Sequence, residues 1–304
     1  MIDSDSVLCM DCIEGMVKIQ SESVDLIVAD PPYFKVVGEK WDYAWRTEDE
    51  YLEWSERWIS ESSRVLRYGG TFYLFGYFRS LAHILPILED HGFRLRQQIV
   101  LNKGMQAVSG RATKGYLMYP CVTESILFLI KDPIPFSKNL LREYQSKSGA
   151  KAKDINEVLG VKTNGGGMWS IYSGDNVCEQ LPTEEQWKKL QDFLGFQYPY
   201  SRLAQTFNAE MGVTDVWNDI DFYSVTNRIH PTQKPLRLID RLVRVSSNVG
   251  DTVLDPFMGS GTTAVACMCN DRRFIGFESN PEYFSGCMNR IDRFRRQKSV
   301  LDFV

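Results

Sequence analysis

The sequence predicts an α/β fold, a parallel sheet with covering helices, interrupted by a mainly helical insertion. Three observations carry that expectation. Val24-Asp25-Leu26-Ile27-Val28-Ala29 is a short apolar, β-branched run without polar alternation, the pattern of a strand buried on both faces. Strand-like and helix-like segments alternate through residues 1–131 and again from about 226 onward. Between them, 132–225 is polar, aromatic-rich and poor in β periodicity.

Taken in order, Ser6 to Cys9 is a short strand and Ile13 to Ile19 a short helix. The Val24 strand stops at Asp30, because Pro31 and Pro32 cannot donate to a sheet ladder and hold the backbone extended. Phe34 to Tyr43 mixes turn and polar residues and reads as a loop. Thr47, with Glu50 three residues on, opens a helix whose apolar positions (Leu52, Trp58, Ile59, Val65, Leu66) recur at helical spacing. Arg67-Tyr68-Gly69-Gly70 reads as the end of that helix and Thr71 to Phe75 as a buried strand. Ser80 to Asp90 is a helix with Gly92 beyond it, and Leu95 to Leu101 and Ser125 to Ile130 are strands. Asp132-Pro133-Ile134-Pro135 marks a boundary. Inside the insertion, the helix Lys153 to Leu159, Gly160 and the segment Thr163 to Tyr172 suggest a helix-turn-helix-like unit, and Thr183 caps a further helix. Regularity returns with the helix Leu236 to Ser247 and the strand Thr252 to Leu254. The helix Thr263 to Cys269, the strand Phe274 to Phe277 and the helix Pro281 to Phe294 follow.

Composition bounds the function. The 304 residues suffice for one large or two ordinary domains, and 43% hydrophobic with 24% charged residues is a globular balance. No run nears the roughly 20 apolar residues of a membrane span, and no basic-then-apolar leader opens the chain, so no membrane partner is expected. Seven cysteines, an odd number, read as reduced cytoplasmic thiols. Cys9 and Cys12 form a C-x-x-C without a second pair at zinc spacing, and only His83, His91 and His230 occur, so no metal is expected. A net charge of −4 excludes a wholly basic nucleic-acid binder. Basic clusters at Arg94 to Lys114, Lys138 to Lys153 and Arg290 to Lys298 are nonetheless enough for a cationic groove on an acidic body.

Three motifs bear chemistry. Asp30-Pro31-Pro32-Tyr33 presents an acid, rigid carbonyls and an aromatic ring at the carboxyl end of a buried strand, where open α/β sheets bind ligands. Asp255-Pro256-Phe257-Met258-Gly259-Ser260-Gly261-Thr262-Thr263 contains a G-x-G-x-x-A pattern, and Glu278 ends the next strand where a ribose-binding acid belongs. This suits a nucleotide-type cofactor without choosing between a dinucleotide and S-adenosylmethionine. A P-loop is excluded, because no Lys follows the second glycine. His230-Pro231-Thr232-Gln233-Lys234-Pro235 is a rigid polar entry to a helix.

In chain order, Asp30 to Tyr33, then His230 to Pro235, then Asp255 to Thr263 resemble the S-adenosylmethionine-dependent amino-methyltransferases of DNA, and that order looks like their β group. The resemblance covers 1–131 and 226–304. It implies a Rossmann-like methyltransferase sheet with circularly permuted motif order, whose Thr252 strand lies between the Phe274 and Asp30 strands. It implies a catalytic domain in two parts, 1–131 and 226–304, around a target-recognition region, 132–225. Asp30, Pro31, Pro32 and Tyr33 would be catalytic. S-adenosyl-L-methionine would be held by Asp11, Cys12, Asp30, His230, Thr232, Gln233, Lys234, Asp255, Pro256, Phe257, Gly259, Ser260, Gly261, Thr262, Thr263, Glu278 and Asn280. Lys234 would be the countercharge of its carboxylate, and Glu278 would accept from the ribose hydroxyls. Leu101 and Thr123 stand where similar enzymes often have Trp and His, so that segment departs from the pattern.

The implied reaction methylates an exocyclic amine of a base flipped out of double-stranded DNA, with Asp30 and the Pro31 carbonyl accepting its two hydrogens and Tyr33 stacking on the ring. Asp rather than Ser at position 30 resembles the adenine-N6 members more than the cytosine-N4 ones. Lys103, Arg111, Lys114, Lys162, Asn164 and Trp169 are candidate DNA contacts. A homodimer and a cognate restriction endonuclease are candidate partners, in a cytoplasmic, nucleoid-associated setting of bacterial or phage type. Two rival readings stay open at this point, a nicotinamide-dinucleotide oxidoreductase and a non-catalytic DNA-binding protein.

Overall fold

The structure, a computed structural model, describes residues 2–35, 43–108, 117, 119–160, 167–174, 177–223 and 228–301. It divides into two compact units, one of Met1–Arg67, Thr71–Ile130 and Thr206–Val304, the other of Tyr68–Gly70 and Lys131–Gln205.

The first unit is built on an eight-stranded sheet. In chain order the strands are β1 (Ser6–Cys9), β2 (Val24–Ala29), β3 (Leu66–Gly76), β4 (Phe93–Asn102), β5 (Thr123–Lys131), β6 (Val216–Trp217), β7 (Thr252–Asp255) and β8 (Arg273–Glu278). Their spatial order is β1-β8-β7-β2-β3-β5-β4-β6. β7 therefore lies between β8 and β2, parallel to both, as the motif order implied.

Strand β2 shows why the sheet is covered on two sides. Leu26 and Val28 point into one core, while Val24, Ile27 and Ala29 point into the other. Helices α8 (Leu236–Ser246), α9 (Thr262–Cys269) and α10 (Pro281–Leu301) furnish the first layer with Leu238, Leu242, Ala264 and Ile291. Helices α1 (Cys12–Met16), α2 (Glu48–Val65) and α3 (Phe78–Asp90) furnish the second with Met16, Trp58, Ile59 and Leu88. Each fully buried aliphatic side chain in these layers stabilises the fold by roughly 1.5–3 kcal/mol.

Two expectations are corrected. The sheet is mixed, because β5 runs antiparallel to β3. The β3-α3-β4 crossover leaves one strand position open between β3 and β4, and β5 fills it. Arg67 to Gly70 is also not the end of α2. Leu66 is already extended and pairs with Val24, while Leu26 pairs with Thr71, so Arg67–Gly70 form a bulge within β3. Asp25 secures that bulge, accepting from Arg67 Nε at 2.8 Å and from the Thr252 N–H at 2.9 Å. One carboxylate thus ties β2, β3 and β7 together at the point where the ladder slips.

The second unit is helical, with α4 (Ile134–Ser148), α5 (Ala152–Val158), α6 (Gly167–Tyr172) and α7 (Glu184–Leu194) around Leu141, Ile155, Trp169, Trp187, Leu190 and Phe196. Thr183 and Gln186 close a capping box at the start of α7. Of the residues between α5 and α6 that would form the turn of a helix-turn-helix, 161–166 lie outside the described ones. The unit closes at Gln205, short of the boundary at 225 read from composition. The reason is burial: Trp217, Ile220 and Phe222 belong to the core of the first unit. Among the described residues no helix is long and apolar enough to cross a membrane.

Candidate active site

The carboxyl ends of β1, β2, β7 and β8 open on one cavity of about 630 Å³. The strand ends share its lining with the His230 hexapeptide, Trp54 of α2 and Tyr283 of α10. β7 stops at Asp255, and the chain turns through Pro256 and Phe257 into the glycine loop. Gly259 and Gly261 have φ of +51° and +78°, the left-handed region that a side chain resists. A Cβ at Gly261 would also lie 2.7 Å from Cys287 Sγ. Gly261 is the N-cap of α9 and offers no side chain to its first N–H groups, which are left for an acceptor.

Glu278 pins this loop. Its Oε2 accepts the Gly259 N–H at 3.0 Å and its Oε1 the Asn280 N–H at 2.7 Å. Burial pushes its carboxyl up. Asp255 is deeper, accepting from the Phe257 N–H and from Thr263 Oγ1. Burial raises it to about 7, against the pull of those two hydrogen bonds. Asp11 caps α1 by accepting the Ile13 and Glu14 N–H groups, and it lines the cavity beside Cys12.

The Asp30 end is held by charge. Oδ1 accepts the Tyr33 hydroxyl at 2.7 Å and Oδ2 the Lys234 ammonium at 2.6 Å. Glu124 on β5 accepts from the same two donors, Tyr33 at 2.9 Å and Lys234 at 3.1 Å, and its other oxygen takes Lys103 Nζ at 2.9 Å. Burial opposes the charge of Glu124, but Lys234 and Lys103 outweigh it and hold the carboxyl down at about 2. Burial likewise opposes the Lys234 ammonium, and Asp30 and Glu124 more than compensate, so it titrates above the usual lysine range. Burial, then the two carboxylates, drive the Tyr33 hydroxyl well above an ordinary phenol, which keeps it a donor.

The cavity brings together all the residues proposed for catalysis and cofactor binding except Gly261, which caps α9 behind the loop. Within the His230 hexapeptide, Thr232 bonds His230 Nδ1 and Gln233 accepts the Ile229 N–H. Pro235 is the N-cap of α8 rather than its first residue. Lys234, expected as the countercharge of the cofactor carboxylate, is paired with two carboxylates of the Asp30 cluster. Arg290 is the cation beside the glycine loop. Its Nη1 donates to Ser260 O, Ser260 Oγ and Thr262 Oγ1, and no ion pair to a carboxylate is found for it among the described residues. Burial lowers it. Composition had placed it in a basic tail.

The candidate DNA contacts fare differently. Lys103 is tied to Glu124. Trp169 is 5% exposed inside the core of the second unit, and its backbone N–H donates to Asn156 Oδ1. Arg111, Lys114, Lys162 and Asn164 lie outside the described residues. Sequence reasoning missed Glu124 as a site residue. Its signal was an acid at the head of the otherwise apolar Ile126 to Ile130 strand.

A parallel sheet core with an acid at one strand end and a glycine loop at the next defines an α/β enzyme of the nucleotide-cofactor class. The N6/N4 DNA methylase family profile matches residues 24–289, and the chain belongs to that family. The DNA adenine methyltransferase YhdJ of Escherichia coli (strain K12) is 28% identical over 295 residues, covering 95% of this chain and 83% of that one. The Type II methyltransferase M.HpaI of Haemophilus parainfluenzae is 28% identical over 294 residues, covering 94% and 74%. The fold is also that of TTHA0409 from Thermus thermophilus, solved with S-adenosyl-L-methionine, with a TM-score of 0.56 at 22% identity over 95% of this chain and 93% of that one.

Proposed function

We propose that the chain moves a methyl group from S-adenosyl-L-methionine to the N6 amino group of an adenine flipped out of double-stranded DNA. The observation that carries this reading is the convergence of Asp30, Glu278 and the glycine loop on one cavity. Its residues fit the cofactor. Glu278 retains lone pairs for two ribose hydroxyls beyond the two N–H groups it accepts. Asp11 and Cys12 stand beside apolar Phe257 and Phe277 for the adenine edge. The start of α9, with Ser260, Thr262 and Arg290 behind it, suits a carboxylate.

When bound, S-adenosylmethionine supplies an electrophilic methyl group. The work left to the protein is to make an aromatic amine nucleophilic. The amine's lone pair is delocalised into the ring until its hydrogens are drawn out of plane. Asp30 accepts one hydrogen and the Pro31 carbonyl the other, with Pro32 fixing that carbonyl's direction. The same carboxylate stabilises the charge that develops on nitrogen. Before the base arrives, Tyr33 holds Asp30 in place through its hydroxyl.

Adenine rather than cytosine is supported by the acid at position 30 and by the name of the YhdJ relative. Target recognition is assigned to the region 132–225, a homodimer to the assembled state, and a cytoplasmic, nucleoid-associated setting to the protein. A cognate endonuclease as partner is supported by the Type II name of the M.HpaI relative. The test is to incubate the full chain with unmethylated DNA and tritiated cofactor, then sequence the product for modified bases. N6-methyladenine in a fixed context is expected; N4-methylcytosine overturns the base assignment, and unlabelled DNA overturns the reading.

A further inference from the structure

The carboxylate that the amine must reach is already engaged at both oxygens. Tyr33 holds Oδ1 and Lys234 holds Oδ2. An ammonium on that carboxylate opposes the reaction, because the attacking nitrogen becomes positive as the methyl arrives. Both donors have a second acceptor within reach, and it is the same atom, Glu124 Oε1. Glu124 is 4% exposed, and its remaining oxygen is bound to Lys103. Asp30, Lys234, Glu124 and Lys103 thus form a chain of alternating charge whose sum is zero. A small shift of Lys234 along that chain transfers its hydrogen bond from Asp30 to Glu124 without exposing either charge. Tyr33, with one proton and two acceptors, can make the same exchange.

We infer that Glu124 is a positioning residue for methyl transfer, taking over the Lys234 ammonium and the Tyr33 hydroxyl as the amino group claims Asp30. The inference rests on the role given to Asp30 above. Lys103 serves it by balancing Glu124, which would otherwise draw Lys234 permanently away. This also gives Lys234, in a hexapeptide read as a cofactor contact, a task on the acceptor side of the cavity.

The test uses the full chain, unmethylated genomic DNA, and S-adenosylhomocysteine as the binding probe. Glu124→Gln is expected to lower kcat about 100-fold while the KM for DNA and the Kd for S-adenosylhomocysteine stay within about threefold. Glu124→Asp is expected to recover roughly tenfold of that loss, since it restores the charge. Adding Lys234→Met to Glu124→Gln is expected to cost nothing further, because no ammonium is left to move. A purely structural Glu124 would instead lower probe affinity and melting temperature together with kcat, gain nothing from Asp, and give additive losses; that pattern overturns the inference. Should Glu124→Gln fail to fold, the charge-balanced Glu124→Gln/Lys103→Met replaces it with the same expected kcat. Wild-type protein that methylates no DNA removes the underlying reading, whereas active wild type with unimpaired Glu124→Gln removes the inference alone.

Discussion

Lys234 Nζ lies 2.6 Å from Asp30 Oδ2, across 204 positions of sequence. The pair joins the first chemistry-bearing motif to the second, and Glu124 closes it from β5. A salt bridge this shielded is costly to break from one side, because the survivor is left as a buried charge. Here the second carboxylate changes that outcome: losing Asp30 leaves Lys234 still paired.

Asp30→Ala is therefore expected to fold and to bind cofactor within about threefold of wild type, while methyl transfer falls by roughly 10³-fold. Equilibrium dialysis with labelled cofactor and tritium incorporation into DNA separate the two. Turnover near wild type would remove Asp30 from the chemistry.

Glu278 and Arg290 test the cofactor end. Glu278→Ala removes two hydrogen bonds to a charged acceptor, each worth roughly 1.5–3 kcal/mol, so the Kd for S-adenosylhomocysteine is expected to rise at least about 100-fold. Arg290→Met, which removes only the cation behind Ser260 and Thr262, is expected to weaken binding by roughly tenfold. Calorimetry reads both. An unchanged Kd in Arg290→Met would return the countercharge to another group.

Asp255 fixes a pH dependence. Its carboxyl is raised by burial from 3.8 to about 7, so between those values the folded chain holds a proton that the unfolded chain has lost. Stability from this group is complete below about pH 4 and is lost as pH rises to about 7, a loss on the order of 4 kcal/mol. Asp255→Asn carries no such loss. The difference in melting temperature between variant and wild type is expected to shift in favour of the variant from pH 4 to pH 7 and then level off. A difference that is flat over that window contradicts the assignment.

Trp169→Ala is expected to destabilise the protein by roughly 3–5 kcal/mol, as for any large core deletion. Urea unfolding measures this. A variant of normal stability with reduced DNA affinity would favour Trp169 as the DNA contact expected from the sequence.

What could be read from the residues follows their physics. The β2 run and the Gly259–Gly261 loop were legible because burial on two faces and positive φ each impose a local pattern. The bulge at Arg67–Gly70 looks like a helix end in the sequence because two glycines look alike in either setting; the deciding contact, Asp25 with Arg67, is not local. The direction of β5 leaves no trace in composition, since antiparallel and parallel strands bury the same side chains. Lys103, Glu124 and Lys234 were each visible as charges, but their pairing exists only once β4, β5 and the approach to α8 are assembled. Arg290 looked like part of a solvated tail for the same reason.

The bulge in β3 also has a genetic consequence. The second unit takes nearly all its residues from one continuous stretch, Lys131–Gln205, and three from Tyr68–Gly70. Gly69 has φ of +70°, and a Cβ there would sit 2.0 Å from the Leu203 carbonyl oxygen. An exchange of this unit between related genes therefore requires two crossovers for the long stretch and an inherited glycine far upstream. A recombinant that swaps 131–205 into a recipient lacking glycine at position 69 will be misassembled, however well its junctions are chosen.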